Sequence, residues 1–221
     1  MKIDVFFFSD LSLSAQVKAI DNYREHYPRF GWEDCVRECW IDNFAEVGIN
    51  VDKMYYSVSF SQGDGASIDA SVDVYKMIVR MGWTKDFRSL LNLERYSWSI
   101  YTTISHSHSS HYVHEKTMIA NTESDYYSDD SKREKRIYGL LDEFNKDVLE
   151  VAKSMCRQFH KDLEDSYWRQ SSDEFIALDL EQSDYKLFFC DGTPVPFEVR
   201  EYATDTVEDQ LLDLLSKIRQ D

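Results

Sequence analysis

Proline and glycine are scarce in this chain, at 3 and 7 of 221 residues. So low a content argues against a sandwich of many short strands and for long regular elements. Cysteine is scarce too, and the four thiols (Cys35, Cys39, Cys156, Cys190) form no CxxC pair, which removes the usual zinc and redox spacings. Cys35 and Cys39 lie one helical turn apart, which suits a buried helix face better than a disulfide. No secretory leader is read at the start, so reduced thiols in a cytosol are expected. Long apolar runs are missing: "VFFFSDLSL" from Val5 is brief and holds Asp10, far short of a membrane span. Positive charge is also in deficit, with 25 basic against 41 acidic residues and a formal net charge of -16. Such a surface repels phosphate backbones and anionic lipids, so neither direct nucleic-acid binding nor a membrane is expected. Two readings remain: a protein kept apart from others by its own charge, or an acidic face that engages a host or phage protein with a basic surface.

Apolar residues are plentiful. They make up 43% of the chain, and aromatics 14%, enough for a packed core over most of the length. Residues 2–8 read as a short buried strand. Ser12 or Ser14 caps a helix with Leu13, Val17, Ile20 and Tyr27 at helical spacing. Pro28 and Gly31 break it. A second helix carries Val36, Cys39, Trp40, Phe44 and Val47, and Gly48 ends it.

The period then changes to two. Met54, Tyr56, Val58 and Phe60 alternate with serines, and Ala66, Ile68, Ala70, Val72 and Val74 alternate with Ser67, Asp69, Ser71 and Asp73. Two such runs around Gly63-Asp64-Gly65 predict an antiparallel hairpin with one wet face. Residues 75–94 read as helical with a break at Gly82, and residues 96–122 as a second hairpin bent at Ser109-Ser110. From Ser131, apolar residues step by three and four: Ile137, Leu141, Phe144, Val148, Val151, Met155, Phe159, Leu163 and Tyr167. That predicts a helix of roughly 50 Å at about 1.5 Å per residue. A small hairpin around Asp191-Gly192 and a closing helix capped by Thr206 complete the reading. The expected fold is α+β in one domain over residues 1–221: an antiparallel sheet at about 51–122 packed against helices, and a helical extension at about 131–170. The long helix is a candidate contact for a homo-oligomer.

Two stretches could carry chemistry. "HSHSSHYVHEKTM" (His106–Met118) holds four of the six histidines. A turn at Ser109-Ser110 could bring His111 or His114 back beside His106 and His108, with Glu115 adjacent. A polar hairpin, a ligand pocket and a metal site all remain open, but no HExxH or paired CxxC supports a metal, and neither metal nor cofactor is assigned. In "SFSQGDGAS" (Ser59–Ser67), Gly63 and Gly65 are expected to supply positive φ and Asp64 to bond its own backbone. The loop leads into a strand and fails as a P-loop or dinucleotide motif. No GxSxG elbow is present, so no reaction is assigned and enzymatic activity stays undecided.

Together the two stretches resemble a set of small, uncharacterised bacteriophage proteins, sometimes labelled antitoxin-like. These carry SQGDGA after an aromatic strand and then an HxGHYxH-like segment. The matching positions are Ser61, Gln62, Gly63, Asp64, Gly65 and Ala66, then His108, His111, Tyr112 and His114, with Ser110 where that set has glycine. The resemblance covers roughly residues 54–120. It implies a phage-encoded protein in the cytoplasm of an infected bacterium that neutralises a toxin or defence system by direct binding to a host or phage protein. The competing reading is a small-ligand binder or hydrolytic enzyme whose pocket between the hairpins is lined by Ser61, Gln62, Asp64, His108, His111, Tyr112 and His114.

Overall fold

Three of the helices start where the sequence offers a side-chain acceptor for their free amides. The computed structural model describes residues 4–95, 98–107, 112–128, 130–183 and 186–196. In chain order the elements are α1 (Leu13–Arg24), α2 (Asp34–Glu46), β1 (Ile49–Ser57), β2 (Gly65–Val72), α3 (Val74–Arg80), α4 (Arg88–Arg95), β3 (Ile100–His106), β4 (Met118–Ser124), α5 (Ser131–Gln170) and α6 (Asp173–Glu181). Ser12, Asp73 and Ser172 cap α1, α3 and α6 by accepting an amide three residues on. Gly48, at φ 89, closes α2 where a side chain would be strained. The expected closing helix capped by Thr206 lies outside the described residues.

The described residues fall into two compact units, 31–166 and 1–30 with 167–221. The larger holds an α+β core with a four-stranded antiparallel meander in the order β1-β2-β3-β4. β2 is antiparallel to both neighbours. The turn from β1 to β2 and the turn from β3 to β4 therefore lie at the same end of the sheet. The β1–β2 register shifts between Val51 and Lys53, where Asp52 is the extra residue of a bulge.

One sheet face packs on the helices. Ala66, Ile68, Ala70 and Val72 of β2 share a core with Ile104, Met118 and the buried stripe of α5: Ile137, Leu141, Phe144, Val148, Ala152, Cys156, Phe159 and Leu163. The stripe departs from the expected one at three places, one of them Tyr167, which is only partly buried. Ala152 and Cys156 are buried, whereas Val151 and Met155 are only partly so. Cys35 and Cys39 are exposed rather than buried, because Phe44, Trp40 and Val36 carry the inner face of α2.

The smaller unit has its own core of Phe8, Leu11, Ala15, Ala19, Tyr27, Ile176, Leu180 and Phe188. Here α1 also departs from expectation: Leu13 and Val17 are 83% and 60% exposed, and the alanines face inward. The Asp191-Gly192 turn explains this. A Cβ on Gly192 would lie 2.0 Å from the Ala15 carbonyl, so the turn sits directly on the helix backbone. Only small residues permit that approach.

Candidate functional site

The turn between β1 and β2 is organised by a single carboxylate. Asp64 Oδ1 accepts from the hydroxyls of Ser57 (2.9 Å), Ser59 (2.7 Å) and Ser61 (3.1 Å). Its Oδ2 accepts from the amides of Ser59 (2.6 Å) and Ser61 (3.1 Å). Burial opposes the charge, but these hydrogen bonds, led by the Ser59 hydroxyl and the Ser61 amide, hold the carboxyl well below the usual carboxylate range. From α5, His160 Nε2 donates to the Ser57 carbonyl at 3.0 Å and ties down the start of the turn.

The glycines do a different job from the expected one. Positive φ falls on Phe60 (φ 56), not on Gly63 or Gly65. A Cβ on Gly63 would lie 2.3 Å from Tyr112 Cδ1, and one on Gly65 would lie 2.7 Å from the Val113 carbonyl. Both are glycine because the second turn rests against the first. Of the predicted site residues, Ser61, Gln62 and Asp64 thus sit on one turn, with Tyr112 and His114 on the turn against it. His108 and His111, with Ser109 and Ser110, lie outside the described residues.

Beneath the second turn lies a cluster built on His106. Its Nδ1 is 3.0 Å from both Ser67 Oγ and Thr117 Oγ1. Because the Thr117 hydroxyl donates to the His114 carbonyl (2.7 Å), its oxygen is left to accept. That assigns the His106 ring proton to Nδ1. The Tyr55 ring stacks near His106 with centroids 5.0 Å apart, and its hydroxyl donates to Asp69 Oδ2 at 2.7 Å. The bond to Asp69, and then burial, raise the Tyr55 phenol above its ordinary value. Asp69 Oδ1 accepts the His106 amide at 2.7 Å, beyond the last β2–β3 pair towards this end, Ala70 with Ile104. The sheet opens there around a side chain. Ser67 belongs to the parity expected to be wet, yet it is fully buried.

Glu115 is also buried, with His114 Nδ1 at 2.6 Å and Arg157 Nη1 at 3.7 Å. The same His114 nitrogen lies 3.1 Å from the Lys116 amide. It can serve only one of them at a time. Bare, it accepts the amide; protonated, it donates to Glu115.

Sequence reasoning passed over Tyr55, Ser67, Asp69, Thr117 and His160. The one available signal was the polar parity of β2, which put Ser67 and Asp69 on the face away from the helices. Among the described residues, no group of three His, Cys, Asp or Glu side chains is arranged to hold a metal ion. No described helix is long and apolar enough to cross a membrane.

Chemically, the cluster is closed on itself. Ser67 is inaccessible, and Asp64 takes five hydrogen bonds. On the surface of the two turns stand Phe60 and Tyr112, 48% and 61% exposed, beside exposed Ser61 and Gln62.

This is an α+β protein whose antiparallel meander carries two mutually packed turns at one end. Residues 32–173 match the family described as a domain of unknown function, DUF8835, and the chain belongs to it. That match spans the larger unit almost residue for residue. No curated protein and no solved structure matches the chain.

Proposed function

We propose that this chain is a phage-encoded protein that neutralises a host toxin or defence protein by direct binding, in the cytoplasm of an infected bacterium. The paired turns at the end of the sheet are its contact surface. One observation carries this reading: the carboxylates of the two motifs, Asp64 and Glu115, are engaged within their own turns, while Phe60 and Tyr112 are 48% and 61% exposed. Exposed aromatics on a rigid support are the usual anchors of protein interfaces. A turn already held by five hydrogen bonds to Asp64 loses little further freedom on binding. A net charge of -16 steers the protein toward a basic partner and away from nucleic acid. A hydrolytic pocket has less support, because the carboxylate and the Ser67 hydroxyl that would serve it are already engaged.

The test is to purify the host or phage protein captured by the full chain and titrate it against wild type, Phe60→Ala and Tyr112→Ala. Each variant should weaken binding by about 2 kcal/mol, the scale of an aromatic anchor. Affinity should also fall between about 50 and 150 mM salt if charge assists association. A saturable small-molecule ligand lost with these same variants, and no protein partner, would overturn the reading.

A further inference from the structure

Arg133 and Arg136, in the first turns of α5, line a cavity of about 180 Å³ together with Ile137 and with Ser89, Asn92 and Leu93 of α4. The turn end of the sheet contributes nothing to it. We propose that this cavity is an oxyanion site that takes inorganic phosphate or a phosphate monoester. Its floor is apolar, since Leu93 and Ile137 are each only 5% exposed. Its rim is made of groups that can donate: two guanidiniums, a hydroxyl and a carboxamide.

The charge balance bears on the two arginines. With 41 acidic residues in the chain, a surface arginine has carboxylates to spare. Arg24, Arg29, Arg37 and Arg157 each take one. Among the described residues, Arg80, Arg88, Arg133, Arg136 and Arg169 have none within ion-pair distance, and Arg133 and Arg136 line the same cavity. Nearby Asp130 turns its Oδ1 to the amides of Lys132 (3.0 Å) and Arg133 (3.4 Å), and neither it nor the adjacent Glu134 makes an ion pair with these arginines. Two adjacent like charges repel unless an anion joins them. Spaced three apart on one helix, their forks offer more donors than the two oxygens of a single carboxylate can accept. Phosphate, with its additional oxygens, matches them better. The apolar floor leaves room beside the anion for the organic part of a monoester.

Calorimetric titration of the full chain at constant ionic strength, with inorganic phosphate in one arm and adenosine monophosphate in the other, tests the proposal. Saturable binding is expected in at least one arm. Tighter binding of the nucleotide would identify a monoester site, and equal or tighter binding of phosphate would identify a site for the free anion. Arg133→Gln/Arg136→Gln should weaken binding at least about tenfold, the scale of losing a charge-assisted contact. Lys132→Gln, on the same turn but outside the cavity, should leave it unchanged. Asn92→Asp, an exposed change that places a carboxylate on the rim, should abolish binding without touching the arginines. No saturation in either arm would overturn the proposal. So would equal losses in the double variant and Lys132→Gln, or undiminished binding by Asn92→Asp.

Discussion

Asp64 and the two glycines beside it were the most conspicuous residues in the sequence, and their roles differ in kind. Asp64 is ionised by the hydrogen bonds it collects, so its folded pKa lies below its unfolded one. Its contribution is fully present above about pH 4, the ordinary carboxyl value, and is lost as the pH falls further. Asp64→Asn should cost about 2 kcal/mol near neutrality, the scale of hydrogen bonds to a charged group. In denaturant titrations the gap to wild type should stay constant from about pH 8 to 5 and narrow below about pH 4. A gap that widened in acid would remove the carboxylate from the account. The glycines separate by what a methyl group would strike. At Gly65 the obstacle is the Val113 backbone, and at Gly63 it is the side chain of Tyr112 rather than backbone. Gly65→Ala should therefore cost about 1–3 kcal/mol in thermal unfolding, as overpacking does, and Gly63→Ala clearly less. Cys156 offers a third check. Burial first, and then the nearby Glu115 charge, push its thiol up to about 12. Among the four cysteines, Cys35, Cys39 and Cys190 are exposed and should react with a thiol reagent within the native state. Cys156 should wait for unfolding.

At the scale of elements, what was legible depended on how strictly a segment alternates. The β1–β2 hairpin could be read because the parity of Ala66, Ile68, Ala70 and Val72 holds through the whole strand, and all four are in the core. The long helix could be read for the same reason. The α1 face was misread, because hydrophobicity ranks Leu13 and Val17 above Ala15 and Ala19, and nothing local announces that Gly192 will press on the helix backbone. The same blindness applies at the site. Ser67 and Asp69 look like wet-face residues until the turn at 112–117 is laid over that end of the sheet. Tyr55 looks like one aromatic among many until Asp69 and His106 are placed beside it. Non-local packing decided these positions, and periodicity carries no information about it. The long helix itself should be intolerant where its stripe is bulky: Phe159→Ala should cost about 3–5 kcal/mol in chemical unfolding, as cavities at buried aromatics do, whereas exposed Gln158 should tolerate alanine.

At the scale of the whole molecule, the two units have separate cores, and every buried residue of the larger core lies between Phe44 and Leu163. A fragment of residues 31–173 should therefore fold alone, with a cooperative melt and mixed helix and sheet ellipticity. A fragment without a cooperative transition would show that the larger core needs the rest of the chain. The bulge at Asp52 has a consequence at this scale as well. β1 is a terminal strand of its sheet, nine residues long, and carries Val51, Met54, Tyr55 and Tyr56. A straight strand of that composition is a template on which a second copy can polymerise edge to edge. The kink at Asp52, followed by the charge of Lys53, interrupts the ladder a newcomer would need.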